Sequence, residues 1–135
     1  PVEASENKTL PIRPEFRDLI GRSQFKRHDK RGPFLVKIAR TDGPITLGMS
    51  DFETDDELFI DLVGDRPIEV LATAHSKITN QDHPMAFVFT NEKGRVFQTT
   101  LGHDTKALEV SGTRELIRRG TMWAAERPPL ESSGP

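Results

Sequence analysis

Cysteine is absent from this 135-residue chain, which removes disulfides, thiolate metal ligands and a thiol nucleophile, and with them any record of a redox compartment. Long apolar runs are missing too. None approaches the roughly 20 residues that span a bilayer, and the opening segment, Pro1 to Lys8, lacks the basic-then-apolar order of a signal peptide. The expectation is a soluble protein with no membrane partner, its compartment left open between cytoplasm and periplasm. Charge of one sign is not in excess either: 19 Lys and Arg stand against 21 Asp and Glu, a formal net charge of −2. No broad field draws the chain to nucleic acid, so any partner must be recognised locally.

Several signatures of chemistry are also lacking. No serine lies in a Gly-x-Ser-x-Gly turn, no glycine-rich loop offers to cradle a phosphate, so there is no nucleotide motif, and no histidine pair has the i, i+4 spacing of a zinc helix. Internal repeats are absent. The first residue is proline rather than methionine, which points to a processed product or a fragment whose upstream portion, with any address signal, lies elsewhere.

The length fits one domain with a core of its own. Residues 1–13 are polar and aperiodic and read as an arm or loop. Pro14 opens a short helix carrying Phe16, Leu19 and Ile20 at i, i+3, i+4, with Gly21 placed to end it. A charged connector over 23–31 follows. From Gly32 the period becomes two: Phe34, Val36 and Ile38 alternate with Leu35, Lys37 and Ala39, as in a strand with one buried face. Gly43-Pro44 is a turn, 44–56 reads as irregular and acidic, and Leu58, Ile60 and Leu62 predict a second strand over 57–62.

Ile68 to Ala74 predicts a third strand. The continuous apolar run Met85 to Phe89 has the pattern of a strand covered on both faces, and Asn91-Glu92-Lys93-Gly94 turns it into Arg95 to Leu101 as a hairpin. The clearest helix comes last. Leu116, Ile117, Gly120, Trp123 and Ala124 share one face opposite Arg118. Gly120 there costs about 1 kcal/mol relative to alanine, which predicts close approach to another backbone. The domain spans 14–127, and 128–135 is expected to be a disordered tail.

The sharpest local feature is Thr100-Leu101-Gly102-His103-Asp104, an apolar strand running into glycine, histidine and aspartate. Crevices beyond strand ends are usual ligand positions, and a histidine there can exchange protons near neutral pH. Asp104 would orient or charge-balance its ring. The plain alternative is a histidine that only caps a turn. Asp51 to Glu57 holds five carboxylates in seven residues; such crowding raises a pKa, is relieved by a cation, or is simply solvated. Asp56 and Glu57 stand out because they abut a predicted strand. Against the EF-hand pattern, the sixth position is Asp56 and the twelfth Leu62.

The run Lys26-Arg27-His28-Asp29-Lys30-Arg31 offers phosphate contacts, but a charge run in a connector is usually a solvated face. His75 and His83 read as surface residues. A divalent metal would need ligands gathered from distant segments, such as His28, Glu57 and His103.

Several segments resemble, in order, the second half of ThuA-like (trehalose utilisation) proteins of the class I glutamine amidotransferase-like superfamily. Glu15 to Gly21 followed by His28 resembles the family's helix, glycine and histidine. Pro44-Ile45-Thr46, Gly48-Met49 and Asp51-Phe52 are similar to its HPIT-x-G-hydrophobic-x-D-F stretch, and Asp56-Glu57-Leu58-Phe59 to its DELY. Gly94 to Phe97, Leu101 to Asp104, Arg119-Gly120 and Trp123 to Ala125 track its GRVFYTSLGHD…RG-x-x-W-A-A ending. Gly43 stands where the family often has histidine and Phe59 where it has tyrosine. The first half, with the degenerate nucleophile elbow, has no counterpart.

The resemblance implies an α/β, flavodoxin-like three-layer fold, here its C-terminal portion with a β-rich centre and a C-terminal helix. His103 would lie near the place of the amidotransferase histidine. It implies carbohydrate catabolism: acid-base chemistry on a disaccharide or keto-sugar, with His103 moving the proton, Glu57 or Asp56 as partner carboxylate, Asp104 orienting, His28 touching ligand or metal, and Arg95 fixing substrate hydroxyls. The rival reading is a non-catalytic binding or assembly module, a homo-oligomer or one half of a split protein completed by an upstream chain.

Overall fold

Short turns between apolar strands favour antiparallel neighbours, because a parallel pair needs a crossover of a dozen or more residues. The computed structural model describes residues 13–23, 27–91 and 94–125. In chain order these form α1 (Pro14–Ile20), β1 (Arg27–His28), β2 (Gly32–Ile38), β3 (Phe52–Asp56), β4 (Phe59–Ile60), β5 (Glu69–His75), β6 (Asp82–Asn91), β7 (Gly94–Thr99), α2 (Thr105–Leu108) and α3 (Ser111–Ala124). Five strands pair in the order β3-β2-β5-β6-β7, and β1 pairs with β4 as a separate ribbon. Every named pair is antiparallel. The parallel strands expected of a flavodoxin-like sheet are not among the described residues. The expected tail over 128–135, the arm up to residue 12, and Glu92-Lys93 of the predicted turn lie outside the described residues.

The apolar run Met85 to Phe89 is buried throughout, as its lack of alternation predicts. It sits in β6, between β5 and β7, and the β6–β7 hairpin closes at Asn91–Gly94. Leu116 of α3 joins a core with Val36, Leu58, Ile60, Leu71, Met85 and Val88; burying such a side chain contributes about 1.5–3 kcal/mol. Gly21 lies against Phe89, where a Cβ would stand 2.4 Å from the ring. Gly21 ends α1 with φ +78°, as its position predicts.

Four expectations need correction. The stretch 44–56 is not all irregular: Phe52 to Asp56 is a full edge strand registered on β2 from Gly32–Asp56 to Val36–Phe52. Its inward residues are Phe52, Thr54 and Asp56, so two of three are polar and no apolar alternation betrays it. The strand predicted over 57–62 shrinks to Phe59–Ile60; Leu58 and Ile60 are buried, but core packing accounts for their spacing. The connector 23–31 contributes β1 and a bridge from Ser23 to Val63. Finally, Gly120 approaches a side chain and not a backbone, since a Cβ there would meet Phe97 Cγ at 2.4 Å.

One departure from a regular sheet positions everything that follows. β2 pairs with β5 only at Lys37–Thr73 and Ile38–Ala72, beside register shifts in β5. The β2–β3 ribbon is therefore free to swing away from β5 at its other end, the end that carries Gly32 and Asp56. No helix of the described residues is long and apolar enough to cross a membrane.

Candidate functional site

In a flat sheet the edges β3 and β7 would lie about 19 Å apart, four strand spacings. Thr100 still pairs with Met85 of β6, and Gly102 is two residues further on, about 7 Å of chain at most. Yet the Gly102 amide donates to Asp56 Oδ2 at 2.7 Å and the His103 amide to Asp56 Oδ1 at 3.1 Å. The sheet is therefore not flat at this end, where β2 has no named pairing with β5. Asp56 is fully buried and also accepts from the Glu57 amide at 2.8 Å. A carboxylate removed from water must be hydrogen-bonded to persist, and these three amides satisfy it. Gly102 adopts φ +100°, a conformation open chiefly to glycine. That turn directs the chain from β7 back across to β3.

The result joins two residues 46 positions apart: His103 Nδ1 lies 3.2 Å from Glu57 Oε2, the histidine side chain 45% exposed and the glutamate 19%. Of the two carboxylates weighed as partner, Glu57 touches the ring, while Asp56 holds the backbone beneath it. A carboxylate beside Nδ1 favours a proton on that nitrogen, leaving Nε2 as the basic atom of the neutral ring. Phe59 is common to both imidazoles. Its ring lies 5.5 Å from that of His28, edge-on, and 6.4 Å from that of His103. His28 sits opposite Phe59 in the β1–β4 register, with Nδ1 at 2.9 Å from the Asp29 carbonyl.

Asp104 was expected to orient or charge-balance the His103 ring; its hydrogen bonds go to Arg31 and the Ala107 amide, and His103 acts on it only as the weakest electrostatic influence. Oδ1 caps α2 by accepting from the Ala107 amide at 2.9 Å, and both oxygens take the Arg31 guanidinium, with Arg31 Nη2 at 3.2 Å from Oδ1 and Nη1 on Oδ2. Arg31 first, and the Ala107 amide second, hold the Asp104 carboxyl below the ordinary carboxylate range. Arg31 also reaches the Asp55 carbonyl at 3.2 Å and the Asp55 carboxylate at 3.4 Å. Lys106 lies 3.4 Å from that carboxylate.

Arg95 falls outside this cluster. It is the second residue of β7 and stacks over Trp123 at 5.3 Å, donating to the Trp123 carbonyl at 3.2 Å, whereas His103 follows the far end of the strand. Among the described residues no group of three His, Asp or Glu side chains is placed to hold a metal ion; His28, Glu57 and His103 do not form one. His75 is half exposed, as expected, with Nδ1 2.8 Å from Asp82 and Nε2 3.0 Å from Asn80, and His83 meets Thr79 at 2.7 Å. Sequence reasoning passed over Arg31 and Asp29 as part of a solvated charge run. Asp29 accepts from Ser76 Oγ at 2.5 Å and the Lys77 amide at 2.8 Å, tying the β5–β6 loop to the segment of His28. Their mixed signs were the available signal.

The family model for ThuA, trehalose utilisation, matches residues 4–124. The chain belongs to the ThuA family. A solved ThuA-like protein from Parabacteroides merdae shares 24% identity over 81% of the chain with a TM-score of 0.70, a likeness of fold. The chain spans 43% of that protein's length. No curated protein matches. ThuA membership agrees with the ordered motifs from Glu15 to Ala125, and the sheet-rich α/β architecture and the absence of cysteine accord with it.

Proposed function

We propose that this ThuA domain serves carbohydrate catabolism by acid-base chemistry on a disaccharide or keto-sugar, with His103 as the proton-transferring group and Glu57 as its partner carboxylate. The observation that carries this reading is the 3.2 Å contact between His103 Nδ1 and Glu57 Oε2, on a turn pinned by a buried aspartate. With Nδ1 facing Glu57, Nε2 accepts a proton from a sugar hydroxyl or from the carbon beside a keto group, and returns it to the product. Glu57 balances the imidazolium that forms between the two transfers. Asp56 contributes placement of the backbone. His28 and Phe59 border the same space and supply ligand contacts.

The chain forms the C-terminal portion of a flavodoxin-like three-layer domain in this reading, with the remaining layer and further substrate contacts supplied by sequence beyond it. The test uses the full-length protein with trehalose, other disaccharides and their 3-keto derivatives. His103→Ala should lower turnover about 10²–10⁴-fold, the usual worth of a general acid-base group, and Glu57→Gln should lower it as well. If both variants turn over every sugar at the wild-type rate, the reading is wrong.

A second reading is favoured by α1, whose Phe16 and Leu19 are 51% and 56% exposed although they form the apolar face that the sequence predicts to be covered. In it, the chain is an assembly module that docks this face on an upstream half chain or a second copy. Sedimentation of the chain alone and with the upstream half decides it: a monomer under both conditions overturns this reading.

A further inference from the structure

Arg31 occupies a place in the fold that the acid-base reading leaves unused. Its guanidinium joins Asp55, two residues before Glu57, to Asp104, one residue after His103. Asp56 makes a parallel link between the same two segments, from β3 to the amides of Gly102 and His103. The Glu57–His103 contact thus has a backbone pin on one side and an ion-paired brace on the other. The two differ in kind: Asp56 is fully buried, whereas the Arg31 side chain is 31% exposed.

We infer that Arg31 is a positioning residue for His103, bracing the turn that carries the imidazole against the end of β3 so that Nδ1 faces Glu57. This rests on the reading of His103 and Glu57 as a working pair. The planar guanidinium suits the task because it engages a carboxylate through two nitrogens in a fixed orientation and still reaches a second acceptor, which a lysine ammonium does not reproduce. Its loss would also remove the one cation among the described residues that both Asp55 and Asp104 share, leaving Asp55 with Lys106 and Asp104 without an ionic partner of its own. The tie between the turn and the end of β3 would then rest on Asp56 alone.

The test is nitrogen-15 NMR of the histidine rings in the full chain, at a pH where they are neutral and with no ligand present. In the wild type His103 is expected as the Nδ1–H tautomer. Arg31→Ala and Arg31→Gln should shift it toward the Nε2–H form that free histidine prefers, and move the Gly102 and His103 amide resonances. Arg31→Lys should restore the wild-type state only in part. Asp104→Asn, which keeps an oxygen for the Ala107 amide but removes the ionic partner, should reproduce the effect of Arg31→Ala. His75 and His83 serve as internal controls and should not change.

If Arg31→Ala fails to fold, Arg31→Gln and Arg31→Lys carry the measurement. A wild-type tautomer and wild-type amide shifts in the folded Arg31 variants would overturn the inference. In sugar turnover, Arg31→Ala should lower kcat more than it raises KM. Should His103→Ala leave turnover intact, the catalytic reading fails while the tautomer still reports whether Arg31 positions the ring.

Discussion

Asp56, the last residue of edge strand β3, accepts a hydrogen bond at 2.7 Å from the amide of Gly102, in the turn that leaves the opposite edge strand β7. The link closes one end of the sheet across a distance that a regular five-stranded array would not permit. It is also the support on which the Glu57–His103 contact stands, so its energetics set how well that contact is held.

Replacing Asp56 should therefore cost far more than a typical carboxylate substitution. Asp56→Ala takes the shared acceptor from three part-buried amides, those of Glu57, Gly102 and His103; a buried amide left unsatisfied costs about 1–3 kcal/mol, and with these only partly buried the expected total is about 3 kcal/mol. Asp56→Asn keeps one acceptor oxygen and should lose less. Urea denaturation of both variants gives the comparison; equal losses would contradict the hydrogen-bond account.

Gly102→Ala tests the turn itself. At φ +100° a side chain is strained, and the new Cβ would stand 2.5 Å from Leu108 Cδ2. Leu108 ends in a mobile isobutyl group that can yield, so the backbone conformation dominates, at about 1–3 kcal/mol. Thermal denaturation should show that loss. Amide shifts of His103 should move with it.

Gly120→Ala should destabilise, against the usual gain of about 1 kcal/mol from removing glycine inside a helix. The added methyl would meet the Phe97 ring, with Cγ at 2.4 Å and Cδ1 and Cδ2 at 2.5 Å. Overpacking of this kind costs about 1–3 kcal/mol. The double variant Gly120→Ala/Phe97→Leu should recover part of the loss. Simple additivity in denaturant melts would show that the two sites do not touch.

Acid should weaken the grip of α3 on the Ile45–Leu47 turn. Glu115 accepts from Arg118 at 2.7 Å and 3.1 Å and from Arg119 at 2.7 Å, and Arg119 donates to the Ile45 and Leu47 carbonyls. Arg118, then Arg119, pulls the Glu115 carboxyl down from 4.5 to about 2. A depressed carboxylate contributes stability above its unfolded value and loses it as pH falls toward the folded one. Glu115→Gln should thus lower Tm by a constant amount above about pH 5, and the difference should fade between pH 4.5 and 2. Partial exposure limits the effect to about 1 kcal/mol.

Much of the fold was legible because its elements obey one period each. β2 alternates at a spacing of two, α3 repeats at three and four, β6 is a continuous apolar run buried throughout, and the predicted spans of β2, β5, β6, β7 and α3 overlap the observed ones. β3 escaped because Thr54 and Asp56 are buried polar residues, and α2 escaped because its start depends on the Asp104 cap. The geometry of the candidate site was legible in part. His103 and Glu57 do meet, but Asp104 was assigned to the ring and instead serves Arg31 and α2, while Arg95 serves Trp123.

From the sequence alone follow the ThuA motifs in their order, the absence of cysteine from this chain, and the strand that delivers Gly102 and His103. Which carboxylate faces the imidazole was settled only in three dimensions. Asp56 and Glu57 are adjacent and chemically alike, and their roles part because the end of β3 buries one carboxylate on the amides of a distant turn and leaves the other beside the ring. Local pattern carries no information about that meeting, which arises from long-range pairing and burial.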